Sequence, residues 1–234
     1  MRALLLLGAV VLVAGAAWLS YIRKAKRRQT LASFARKFGF SFRQTDPFNL
    51  LWDYNFPLFE MGDGRGCENV VWGEWKGIPF RETDYWYFTK STNSNGDNVK
   101  SYKHFNAVVV DIPAYVPVVT IERETFATRL ADQVGWRDIQ FESGEFNRAF
   151  RVTAQDREFA FKLVDARMMQ WLLTTPQGFG FQFRGSAFLV FSHRLRPMEL
   201  LPLVGTGKEL YDHIPRLVWT DYGTGPTRTN EAMS

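Results

Sequence analysis

Residues 3–22 carry no charged side chain, and the six positions that follow, Arg23-Lys24-Ala25-Lys26-Arg27-Arg28, hold five basic ones. At 1.5 Å per residue a helix of that apolar length rises roughly 30 Å, the hydrocarbon thickness of a bilayer. The pattern predicts a single transmembrane helix, with the lipid bilayer as its partner through residues 3–22. Trp18 and Tyr21 fall at its end as interfacial aromatics. Arg23, Lys24, Lys26, Arg27 and Arg28 form a membrane-surface collar suited to anionic headgroups. Positive charge on the carboxyl side places the following domain in the cytoplasm, under the inner membrane. Ala14-Gly15-Ala16 resembles a signal-peptidase site, through which export after cleavage near Ala16 would enter. The apolar run continues past it to Ile22, and the basic cluster resists translocation, so retention as an anchor is expected.

Beyond the collar the period changes. Leu31, Phe34, Ala35 and Phe38 recur at helical spacing, predicting a helix over 29–37 that Gly39 ends and that can continue the membrane helix. Asp46-Pro47 reads as the cap of a short helix, Pro47 to about Trp52. Asn69 to Trp75, Ile78 to Phe88, Tyr102 to Ile112 and Val118 to Glu122 read as strands. Lys76-Gly77 turns the first into the second, and residues 91–98 form a polar loop. Short connections predict an antiparallel meander. Glu124 to Gln133 has helical spacing closed by Gly135. Phe146 to Thr153 reads as a strand. Asp156 and Asp165 cap helices from Arg157 to about Val164 and from Ala166 to Thr174. Phe179, Phe181 and Phe183 alternate into Gly185-Ser186, predicting a hairpin back through Ala187 to Ser192. Pro197 opens a helical stretch that Pro202 interrupts, and a last helix runs from Lys208 to Val218. The class is therefore α+β: an N-terminal transmembrane helix, then a mainly antiparallel sheet (meander plus hairpin) packed with several short helices. The expected organisation is anchor and collar over 1–28, one soluble domain over 29–221, divisible into lobes 29–123 and 124–221, and a disordered tail over 222–234.

The anchor also explains the charge. The chain has 29 Lys and Arg against 24 Asp and Glu, a net of +5. Six of the basic residues and no acid lie in the first 28 positions, leaving 23 basic and 24 acidic groups behind them. The basic isoelectric point belongs to the anchor, so no nucleic acid is expected as a partner.

Glu142 to Phe191 carries a further pattern: Phe146, Phe150 and Val152, then Ala160, Leu163, Met168, Met169 and Leu172, then a phenylalanine-rich hairpin around Gly185. These residues resemble a bacterial family defined only by a domain of unknown function in membrane-anchored proteins. The resemblance implies fold kinship and a neighbouring membrane segment. It brings no catalytic residue, because every matched position is apolar or a turn.

Candidate chemistry is sparse, and neither a catalytic residue, a cofactor nor a metal site is expected. His104, His193 and His213 lie on separate elements without local ligand partners. Cys67, the single cysteine, reads as a loop residue and allows no internal disulfide. No G-x-S-x-G elbow occurs. Val204-Gly205-Thr206-Gly207-Lys208 fails the phosphate-loop pattern at Pro202 and Glu209, which leaves Thr206 as a helix cap. The Gly62–Gly66 loop could present amides to an anion. Glu82 and Asp84 share a strand face about 7 Å apart, within reach of paired acid–base carboxylates, but read more simply as a solvent-facing polar stripe. The run Tyr85-Trp86-Tyr87-Phe88 could form a stacking platform for a ligand, but core packing on both faces is the expectation. The reading is a tethered protein- or membrane-surface interaction module without enzymatic activity. A membrane-tethered hydrolase using Glu82, Asp84 or Asp111 is the alternative. A small-ligand or lipid sensor, with an apolar cavity among the Phe-rich strands, is a third.

Overall fold

The computed structural model describes residues 2–93, 96–123 and 137–223, with side chains from Ala14 onward. Its first element is one unbroken helix, α1, Arg2–Phe38, which carries the apolar segment, the basic collar and the first domain residues. Leu31, Phe34 and Ala35 bury one stripe of it, and Gly39, at φ 73°, ends it. Among the residues whose side chains are described, no helix is long and apolar enough to cross a membrane; residues 3–13 fall outside that set.

A seven-stranded antiparallel sheet follows, built from β1 (Ser41–Thr45), β2 (Gly64–Trp75), β3 (Ile78–Thr92), β4 (Asn98–Arg123), β5 (Arg137–Ile139), β6 (Phe150–Ala154) and β7 (Phe179–His193). Strands β2 to β4 form the expected meander, its last two expected strands being one, β1 adds an antiparallel strand at the β2 edge, and Lys76 and Gly77 both take positive φ at the β2–β3 turn. β4 is the spine. One of its edges pairs with β3 and then β6, and its other edge pairs with β7 along Phe105 to Ile121.

Both faces of the sheet are covered, and the period-2 pattern assigns each side chain. Val108, Val110, Phe188 and Val190 enter the larger core, under α1, α4 (Arg157–Leu163), α5 (Ala166–Thr174), α6 (Leu200–His213) and α7 (Arg216–Tyr222). Tyr85, Tyr87, Phe105, Val109, Leu189 and Phe191 enter the smaller core on the opposite face. There they meet Leu50 of α2 (Leu50–Asp53) and Phe56, Leu58 and Phe59 of the segment after it.

Several expectations are corrected. Phe179 to Ser192 lies in one strand and not a hairpin: where a reversal was expected, Gly185 takes φ 60° opposite Val116, and the register with β4 shifts on either side of that pair. Phe181 and Phe183 before it and Phe188 and Val190 after it share one core although their parity differs, so the strand changes face across this irregular stretch, where β4 holds the extra residues. In sequence that parity switch looks the same as a turn. β4 likewise runs through Pro113 and Pro117, which sit where its register with β7 shifts and a missing N–H breaks no regular ladder. Phe146 opens no strand. It lies in α3 (Gly144–Ala149), capped by the Ser143 hydroxyl at 3.2 Å from its N–H, so Phe146 and Phe150 stack at helical spacing with centroids 5.2 Å apart. Pro202 stands in the first turn of α6, where its missing N–H costs nothing, and Thr206 is buried inside that helix and caps nothing. β1 was missed, since only Phe42 of its five residues is even half-buried. The short helix expected from Pro47 begins at Leu50, with Asp46 accepting from the Phe48 and Leu50 N–H groups ahead of it. The Asp156 and Asp165 caps form as expected. The helix expected over Glu124–Gln133 and the tail beyond Gly223 lie outside the described residues.

Candidate functional site

The most unusual chemistry sits where α1 crosses β2, β3 and β4. Glu82 and Asp84 share a strand face, as their spacing required, but that face is not solvated: they are 1% and 3% exposed. Register places Asp84 between Glu68 and Asn106 on the neighbouring strands. A β-bulge between Glu68 and Val71, with Asn69 at φ 57°, turns the Asn69 side chain inward. Its amide donates to Asp84 Oδ2 at 2.9 Å, and the Asn106 amide donates to Asp84 Oδ1 and Glu82 Oε1, both at 2.7 Å.

Arg27 closes this cluster from the helix. Its Nε donates to Asp84 Oδ2 at 2.7 Å, its Nη2 to Asp84 Oδ1, and its Nη1 to the Leu195 carbonyl at 2.7 Å. The Leu195 N–H in turn donates to Asn106 Oδ1 at 2.7 Å. Burial works against the charge on Arg27, but its hydrogen bond with Asp84 and the field of the carboxylates hold its pKa above the ordinary value. Glu82 is pushed well above the carboxylate range, first by burial and then by the Asp84 charge. Its Oε2 and Asn69 Oδ1 find no hydrogen-bond partner among the described residues. Protonation gives Glu82 a donor where the ionised form would bury an unpaired charge. The cluster therefore pins the helix to the sheet. It does not present two free carboxylates to a substrate.

Toward its N-terminus α1 leaves the sheet, and a groove opens beside the cluster. One part, about 370 Å³, is lined by Ala16, Ser20, Arg23, Lys24, Arg27, His104 and Arg194. An adjoining part of about 480 Å³ shares Ser20, Lys24 and His104 with the first and adds Glu68, Trp86 and Tyr102. The helical side chains recur at i, i+4, i+7, i+8 and i+11, one face of α1. Beyond Asp84 the same strand face carries Trp86 and Phe88, with Tyr102 opposite Phe88. Gly64 and Gly66 on β2 leave room for these rings: a Cβ there would meet Phe88 Cε1 at 2.5 Å and Trp86 Cζ2 at 2.8 Å. Burial lowers the His104 pKa, and Arg194 and Lys24 lower it further against the opposing pull of Glu68 and Asp84.

No family model matches the chain, and neither does any curated protein. The fold has a solved counterpart. The chain is similar to the crystal structure of the mycobacterial trehalose monomycolate transport factor A, TtfA. The TM-score is 0.59 over 81% of this chain and 96% of TtfA, at 14% identity. At that identity TtfA shares an α+β fold with this chain, and the likeness extends no further than the fold.

The remaining expected residues are dispersed. Asp111, on β4, takes a 2.7 Å ion pair from Arg81 and a 2.7 Å hydrogen bond from the Tyr54 hydroxyl, away from Glu82 and Asp84. Cys67 lies on β2 opposite Tyr85 instead of in a loop, and burial pushes its thiol up, away from the thiolate. His213 Nδ1 meets the Glu209 carbonyl oxygen at 2.8 Å, and its ring lies over Trp171. Among the described residues no group of His, Cys, Asp and Glu could hold a metal. Trp86 and Phe88 are half-buried and line an open face, whereas Tyr85 and Tyr87 are in the core, so only half of that aromatic run is core. Of the collar, Arg23, Lys24 and Lys26 are exposed, Arg28 is half-buried, and Arg27 points inward. The partners of Arg27 had no local signal. Asn69, Asn106 and Arg194 went unnoticed because each is ordinary until β2, β4 and β7 align.

Proposed function

We propose that this chain is a single-pass inner-membrane protein whose α+β domain is held against the cytoplasmic face as a non-catalytic accessory module in the movement of an envelope lipid. The observation that carries it is the Arg27–Asp84 junction, which fixes the membrane-proximal helix to the sheet without a linker. A domain locked to its anchor suits a part that must hold one orientation at a membrane. The likeness in fold to a protein named for trehalose monomycolate transport supports the lipid. The uncharged run over residues 3–22 and the basic residues after it support the anchor. The buried state of Glu82 and Asp84 tells against a carboxylate hydrolase, because a substrate would have to displace Arg27 to reach them.

The test is depletion of the protein in its own cells, followed by lipid analysis of inner membrane and outer envelope. An amphiphile accumulating in the inner membrane and falling outside it is the expected result. An unchanged distribution refutes the reading, and loss of a hydrolysis product instead would favour the enzyme. A fluorophore that matures only in the cytoplasm, fused after Ser234, should be bright.

A further inference from the structure

The groove beside α1 has a composition that the anchoring role does not use. Its first part carries Arg23, Lys24, Arg27 and Arg194 and no acidic residue. Arg27 is consumed by Asp84, and Arg194 reaches the same carboxylate only at 3.6 Å. Arg23 and Lys24 make no ion pair among the described residues. Three cations therefore converge on a concave space with little internal neutralisation, a surface that recruits an anion. The adjoining part differs. Its floor is Trp86 and Tyr102, with ring centroids 6.0 Å apart, its helical wall at Ser20 is small, and it holds Lys24 in common with the first part and one carboxylate, Glu68. Arg23, Arg27 and Arg194 thus lie in one part of the groove and the aromatic surface in the other, with Lys24 between them.

The axis of α1 gives the groove its depth. From Ala16 to Arg27 a helix rises about 16 Å, and the uncharged run ends between them at Ile22. The small residues Ala16 and Ser20 therefore lie on the hydrocarbon side of that boundary and the cations on the headgroup side. We propose that this groove binds one anionic membrane lipid, with Arg23, Lys24 and Arg194 around its phosphate and Trp86 and Tyr102 against its glycerol and proximal acyl chain. A free phosphate ion would use the basic end and leave the aromatic end unfilled. The site rests on the membrane placement proposed above, and it adds the class of ligand.

The experiment uses the full chain in maltoside micelles and counts bound lipid by native mass spectrometry. The probes are dioctanoyl phosphatidylglycerol, dioctanoyl phosphatidylcholine and inorganic phosphate. Phosphatidylglycerol should bind one to one and at least tenfold more tightly than phosphatidylcholine. Lys24→Ala with Arg194→Ala should weaken it at least tenfold, while Lys26→Ala, on another face of α1, should change it less than twofold. Ser20→Trp fills the groove without altering charge and should also abolish binding, which separates the site from general attraction to the collar. Equal binding of the two lipids overturns the proposal. So does equal weakening by Lys26→Ala, which would mean diffuse attraction. Displacement of the lipid by an equal concentration of phosphate overturns the lipid assignment in favour of a soluble ion. The two readings fail separately: groove variants that lose lipid in micelles but leave envelope lipids normal in cells contradict the transport role, whereas abnormal envelope lipids on depletion with no binding in micelles contradict this site.

Discussion

Replacing Asp84 by alanine should detach the membrane-proximal helix from the domain. The carboxylate accepts two hydrogen bonds from Arg27 and one each from Asn69 and Asn106, and its side chain is 5% exposed. Alanine strands the Arg27 guanidinium, itself 12% exposed, with the Leu195 carbonyl at 2.7 Å and a 3.4 Å contact to Asn106. Removing one member of a buried ion pair costs about 3–5 kcal/mol, because the partner stays buried and uncompensated. The Asn69 amide also loses its acceptor, at roughly 1 kcal/mol or more. The sum is at least about 4 kcal/mol, a large part of a domain stability of about 5–15 kcal/mol. Arg27→Met should cost less, since it removes the charge and leaves Asp84 two amide donors and the nearby Arg194. Urea unfolding of the full chain in micelles, followed by tryptophan fluorescence, gives the loss. Trypsin cleavage within residues 23–28 reports local detachment. A double-mutant cycle should show coupling above about 1.5 kcal/mol for this pair. A cost under 1 kcal/mol for Asp84→Ala, or additivity with Arg27→Met, would refute the claim that the junction holds the helix.

Two further substitutions follow from the same region. Glu82 has its folded pKa raised, so the native state holds a proton that the unfolded chain releases near pH 4.3. Its contribution is present below that pH and is lost as pH rises toward the folded value. Glu82→Gln, which keeps an acceptor for Asn106, should flatten this part of the stability–pH curve and stabilise the chain at neutral pH, as urea midpoints between pH 4 and 8 would show. Gly66→Ala places a methyl 2.8 Å from the Trp86 ring and should displace the indole at a cost of about 1–3 kcal/mol. A melting temperature unchanged from wild type would contradict it.

What the sequence disclosed depended on range. Signals within one turn were readable: the Asp156 and Asp165 caps, the Lys76-Gly77 turn and the Gly39 stop each involve neighbours in the chain. The course of β7 through Gly185 was not, because a parity switch is satisfied equally by a reversal or by a register shift within one continuous strand, and only the partner strand decides. The Arg27–Asp84 junction spans 57 residues, and nothing local links its ends. A weaker clue was available. Glu82 and Asp84 stand on a strand whose neighbouring positions are aromatic, and a buried acidic pair there needs a cation from elsewhere. Arg27 lies four residues before Leu31, one helical turn back along the buried stripe that begins there.

The unbroken course of α1 makes the domain a rigid crank on its shaft. Successive residues of a helix are set about 100° apart, so one residue inserted between Ile22 and Arg23 would swing the sheet by more than a quarter turn around the shaft and lift it about 1.5 Å. Seven inserted residues would restore the heading at a new height. Tilt or rotation at either end is felt at the other without slack, so this geometry can transmit torque as well as position.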